Sequence, residues 1–118
     1  MSLNEKIMID SLVRLDSSKL SSLEDNLIVS YSFKDEFIKE FSKGIEEIKN
    51  KGHKAMIFKE TKCRQCFPNY KAYEFHDSYS DEFIVRYVIH QESENSIMVS
   101  KCSNQSNSWA EDLRSIEI

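Results

Sequence analysis

From Asn4 to Leu15 the apolar residues Met8, Ile9, Leu12, Val13 and Leu15 recur at helical spacing and predict a first amphipathic helix. Asp16-Ser17-Ser18 supplies N-cap chemistry, and Leu20 and Leu23 continue at an interval of three, predicting a short second helix that ends near Asp25-Asn26. Leu27 to Phe33 is β-branched and aromatic and bounded by polar residues, which predicts a first strand. Phe37, Ile38, Phe41, Ile45 and Ile48 then draw an apolar stripe through Asp35–Asn50. Asp35 and Glu36 stand at its start and Lys49, Lys51 and Gly52 at its end, as a helix macrodipole and a glycine stop require. After Gly52 the period switches to two. His53–Glu60, Tyr70–His76, Glu82–His90 and Ser96–Cys102 read as four strands joined by polar turns.

The strand from Glu82 to His90 is apolar on both faces: Phe83, Val85, Tyr87 and Ile89 lie on one, Ile84 and Val88 on the other. Such a strand is expected to be covered on both sides, by the helices and by a second subunit. The fold class predicted is α+β, with N-terminal helices packed on a curved, cone-like antiparallel meander of four to five strands. Residues 1–102 form one domain in this reading. Residues 103–118 form a polar linker followed by a short helix carrying Trp109, Leu113 and Ile116, or a disordered tail.

Composition narrows the classes. The 118 residues suffice for one domain with its own core, so a metal would be optional for folding. Sixteen basic against twenty acidic side chains give a net charge of −4, which argues against a nucleic-acid partner. No apolar run is long enough to span a membrane, and the N-terminus lacks signal-peptide architecture, so a cytoplasmic protein with no membrane partner is expected. Met1-Ser2-Leu3 resembles an expression-vector leader, which leaves a trimmed export signal open. Three cysteines do not make a disulfide framework, and a reducing compartment follows.

Asp16, Leu20, Leu23 and Asp25 stand at the places of an Asp-x-x-x-Leu-x-x-Leu-x-Asp-Asp type segment before the first strand, with Asn26 in place of its last Asp. With the helix, short helix, strand, helix and meander order, the chain resembles the nuclear-transport-factor-two-like superfamily; a cystatin-like sheet wrapped on a helix is the nearest alternative. The resemblance implies helices closing over a bent sheet, and members range from isomerases and dehydratases to non-catalytic binders, often dimeric. It carries over no catalytic residue.

The sharpest chemical motif is Cys63-x-x-Cys66; the only other cysteine is Cys102. A thioredoxin-type role needs the first thiol at a helix N-terminus, whereas Phe67-Pro68-Asn69 leads into a strand. The pair then reads as free or disulfide-linked cysteines in an ordinary loop, or as half of a zinc site. In an up-and-down meander that loop shares its end of the sheet with His90 and Glu92, while His53, His76 and Cys102 fall about 20 Å away. Cys63, Cys66 and His90, with Glu92 as a fourth candidate, therefore make the simplest metal set. For catalysis, Glu74 and Arg86 lie on adjacent strands and Tyr31 on the first strand, as the parts of a proton-abstraction or dehydration site; a plain Glu74–Arg86 ion pair is the structural alternative. The functional expectation is a ligand- or protein-binding domain without chemistry of its own, acting as a homodimer. An isomerase or dehydratase with a small-molecule substrate in the cone pocket is the alternative, and a zinc-stabilised module the second.

Overall fold

The N-terminal stripe folds as helix α1 (Leu3–Arg14), which buries Met8, Ile9 and Leu12. A capping box closes its first turn: the Ser2 hydroxyl accepts from the Glu5 N–H and the Glu5 carboxylate accepts from the Ser2 N–H. Leu15 ends it at φ 52°, in the left-handed region. The Asp16 carboxylate then accepts from the Ser18 N–H and starts a 3-10 segment, Ser18–Ser22, whose Leu20 is fully buried.

Strands β1 (Ile28–Val29) and β2 (Ser32–Phe33) precede helix α2 (Lys34–Asn50), and strands β3 (Met56–Cys63), β4 (Phe67–Asp77), β5 (Phe83–Ser93) and β6 (Ser96–Lys101) complete the order. The computed structural model describes residues 1–63 and 67–101. The sheet has six strands in the order β2-β1-β6-β5-β4-β3. The α+β class is as expected. β3 to β6 form the antiparallel meander, and β1 joins β6 in parallel, so the sheet is mixed rather than wholly antiparallel. Register slips between Lys62 and Cys63, Phe75 and His76, and Gln91 and Ser93; such bulges bend a sheet.

The period of two sorts the strands' side chains. Tyr73, Phe75, Val85, Tyr87, Ile89 and Ile97 join Met8, Leu12, Phe41 and Ile45 of the helices in the main core. Phe41 stacks on Phe37 and meets the edge of Tyr87. Ala72, Val88 and Met98 form a second, smaller cluster on the opposite face. These three side chains are buried within a single chain, so the apolar outer face of β5 does not itself call for a second subunit.

Three sequence expectations needed correction. The single strand expected over Leu27–Phe33 is a tight hairpin, because Ser30 and Tyr31 take φ of 51° and 70°. Two successive left-handed residues suit a two-residue hairpin turn, and the Ser30 hydroxyl holds this one by donating to the Val99 carbonyl (2.7 Å) while accepting from the Val99 N–H (2.9 Å). The second short helix is a single 3-10 segment. The strands β4 and β5 each run to eleven residues, longer than their alternation suggested. The linker and helix read over 103–118 lie outside the described residues.

Glu5 fixes α1 on the sheet. Its side chain is 2% exposed, and beyond the Ser2 N–H its carboxylate accepts from the Gln91 N–H of β5 at 2.7 Å and from the Lys71 ammonium of β4 at 3.2 Å. Burial opposes the charge, but the Gln91 and Ser2 N–H groups and Lys71 outweigh it and hold the carboxyl below its usual range. A depressed carboxyl stabilises the fold above its unfolded value, and that contribution is lost as pH falls through it. Glu5→Ala, which leaves an ammonium and two N–H groups without their acceptor, is expected to lower unfolding free energy by about 3 kcal/mol. Urea denaturation should also show wild-type stability falling below about pH 4.5, with a weaker acid dependence in Glu5→Gln; equal acid dependence in the two proteins would contradict the clamp.

Candidate functional site

Cys63 is the last residue of β3, opposite Phe67, and Cys66 lies outside the described residues. His90 is at the same end of the sheet, as the meander required. Its ring stacks on Tyr70 with centroids 4.4 Å apart, and its Nδ1 accepts from the Lys71 N–H at 3.3 Å. An Nδ1 that accepts leaves the proton of the neutral ring on Nε2, so a metal could take Nε2 only if that bond were given up. Both Glu92 oxygens are engaged as well, one by the Tyr70 hydroxyl at 2.6 Å and the other by the Ser96 hydroxyl at 3.1 Å. Among the described residues no three His, Cys, Asp or Glu side chains gather as a cation cage.

Glu74 and Arg86 do meet, on the sheet face away from the helices. Glu74 Oε2 accepts from Arg86 Nη2 at 2.6 Å and Oε1 lies 3.3 Å from His76 Nε2, while His76 Nδ1 lies 3.0 Å from the Asp81 carbonyl. Partial burial works against the Glu74 charge, and the Arg86 and His76 contacts more than offset it, lowering its pKa. These contacts favour the charged form of the Glu74 carboxylate. Tyr31 does not join it. That residue sits at the β1–β2 turn, 86% exposed, and makes no hydrogen bond with the described residues.

Inside the core the polar groups are few. The Tyr73 hydroxyl is buried without a partner among the described residues, and burial, then the charges of Glu5 and Glu60, push it up to about 12. It cannot serve as a base near neutral pH. His53 Nδ1 and Asp77 Oδ2 form a second carboxylate–imidazole pair at 2.6 Å. Asp77 also accepts from the Tyr79 and Ser80 N–H groups, and the His53 contact followed by these two bonds brings it down to about 2. His53 lines a cleft with Arg14, Asp16, Lys49 and Lys54. Two helix C-termini, those of α1 and α2, end at the same cleft, and their partial negative charge is what these cations complement.

The remaining surface is of another kind. β3 is the terminal strand of the sheet, eight residues long, with β4 on one side and no neighbour on the other among the described residues. Its Phe58 faces the helix side, paired with Phe75, yet is 43% exposed because α1 does not reach over it fully. Between them runs a cleft of about 420 Å³ lined by Ile7, Ile9 and Val13 of α1, by Phe58, and by the lysines Lys6 and Lys19 at its rim. An open strand edge offers a row of N–H and C=O groups, and this one has an apolar trough beside it. Sequence reasoning did not single out these residues. The signal was present in the run Met56-Ile57-Phe58 at the start of a strand that then turns polar, which puts apolar side chains on both faces of an edge.

Comparison with known proteins finds no matching protein family, no matching curated protein and no matching solved structure. The site is therefore read from its geometry alone. For the cysteine loop, nitrogen-resolved imidazole spectra of the metal-free protein are expected to show His90 as the Nε2–H tautomer. A switch to the Nδ1–H tautomer on adding stoichiometric Zn²⁺ would instead restore the Cys63, Cys66 and His90 centre.

Proposed function

We propose that the protein is a non-catalytic interaction domain that docks an extended segment of a partner protein on the β3 edge, with alternate side chains entering the α1–β3 cleft. The observation that carries this is the β3 edge, which has no neighbour among the described residues, beside a half-exposed Phe58. Strand addition of this kind takes its affinity from main-chain hydrogen bonds and its specificity from pockets for every second side chain. The fold supplies both along one line. The helices on one sheet face and the meander order support a nuclear-transport-factor-two-like frame for such a domain, a frame that hosts binders as well as enzymes. The isomerase or dehydratase alternative draws less support, since Glu74 is committed to Arg86 and His76. A homodimer is the competing occupant of the same edge.

Selection of short extended peptides on the immobilised protein tests the proposal. Binders are expected at micromolar affinity, about −8 kcal/mol, and should slow amide exchange along β3 and shift the Phe58 ring resonances. Phe58→Asp, checked for retained fold by its melting curve, should weaken them about tenfold or more. Binders that perturb the His53 cleft and leave β3 untouched, or the absence of any binder, would overturn it.

A further inference from the structure

The β3 edge carries a charge pattern as well as an open ladder. Pairing of Phe58 with Phe75 and of Glu60 with Tyr73 puts the even-numbered residues of β3 on the helix side; Ile57, Lys59 and Thr61 face the other way. Lysine therefore stands on both faces of the edge, Lys59 on the outer and Lys62 on the inner, and Lys6 and Lys19 flank the adjoining cleft. Glu74, opposite Lys59 in the ladder, is engaged by Arg86 and His76, and the Asp16 charge lies near Lys19. Asp10, the carboxylate in the cleft, is taken by Arg14 at 3.0 Å, and Lys59 has only a long 3.8 Å contact to Asp81. Lys6, Lys19 and Lys62 make no salt bridge with the described residues. A local excess of cations at a strand edge is notable in a chain whose net charge is −4.

Edge lysines are an ordinary device against self-association, because an incoming identical edge brings its own lysines into a ladder where like charges face each other. Two copies of this edge would set four lysines, Lys59 and Lys62 of each, against two Glu60 carboxylates. The same device does not repel an acidic strand. Each opposite-charge cross-strand pair adds roughly 0.2–1 kcal/mol. Inward side chains of such a strand would meet Phe58 and the α1 residues Ile7 and Val13, and so should be apolar.

Resting on the strand-docking reading, we infer that the partner is a segment of alternating pattern, apolar on its inward side and acidic on its outward side, rather than a second copy of this chain. The carboxylates face Lys59 on the outer surface, and an acidic residue at the strand's end reaches Lys62 or the rim lysines of the cleft.

The probes are three short end-blocked peptides of alternating sequence: valine with glutamate, valine with glutamine, and valine with lysine. The glutamate peptide is expected to bind about threefold more tightly than the glutamine peptide at low salt, as the cross-strand pair with Lys59 would give. The preference should shrink at high salt and vanish in the Lys59→Gln, Lys62→Gln double variant, which should still bind the glutamine peptide. Equal affinity for glutamate and glutamine peptides would overturn the acidic partner and leave strand docking standing. Binding of none of the three at β3 would overturn both. A dimer in solution that separates on Phe58→Asp would assign the edge to a second copy and also overturn the inference.

Discussion

One buried carboxylate decides how the helical layer sits on the sheet. Glu5 lies in the first turn of α1, yet it is bound from three directions: by its own capping residue, by the backbone of β5 and by the ammonium of Lys71 on β4. A buried charge is tolerated only when it is fully hydrogen-bonded, and the seating of α1 observed here gives this one three donors. The N-terminus of α1 is thereby held over β4 and β5. The apolar stripe Met8, Ile9 and Leu12 then descends onto the core, and the opposite flank, with Ile7 and Val13, is turned toward the outermost strand without closing over it. The cleft beside Phe58 follows from the position of that anchor.

The far side of the sheet is finished by different means. Ala72, Val88 and Met98 pack together there, and next to them the Arg86 guanidinium is held by Glu74, which is held in turn by His76. Such a face is closed by its own side chains. The two edges are unlike each other as well: β2 is a two-residue strand that ends at once in α2, whereas β3 presents eight residues. Short edges offer little to an incoming strand, and long ones offer a template. Among the described residues, the open edge and the apolar cleft thus lie on one side, where α1 and β3 face each other.

Much of this was legible in the sequence. The α2 stripe, with acids at its start and Lys49 and Gly52 at its end, falls within a residue of the helix observed, because periodicity, macrodipole and stop signal agree locally. The meander was legible for the same reason. The Ser30-Tyr31 turn was not, since neither residue is a usual choice for positive φ and the hydroxyl that holds it there bonds to Val99, far along the chain. Nor was the role of Glu5, which reads as an ordinary first-turn acid until β5 is brought against it. The Glu74–Arg86 contact was readable from strand register alone; the assembly of Tyr31 with it was not, because it depended on a strand that is in fact a hairpin. Which strand forms the edge is a property of pairing order. Periodicity of two describes a central strand and an edge strand alike, so the β3 edge had no local signature beyond Met56-Ile57-Phe58 and the lysines that follow.

The account stands on β3 being an open edge, and hydrogen exchange resolved amide by amide measures that directly. In an antiparallel ladder, alternate amides of an edge strand point away from the only neighbour. Between Ile57 and Lys62 every second amide is expected to exchange at rates near those of exposed turns, while the amides of β4 and β5 across Ala72–Phe75 and Val85–Ile89 stay protected. Uniform protection along β3, equal to that of β5, would mean that the edge is already covered and would contradict the account.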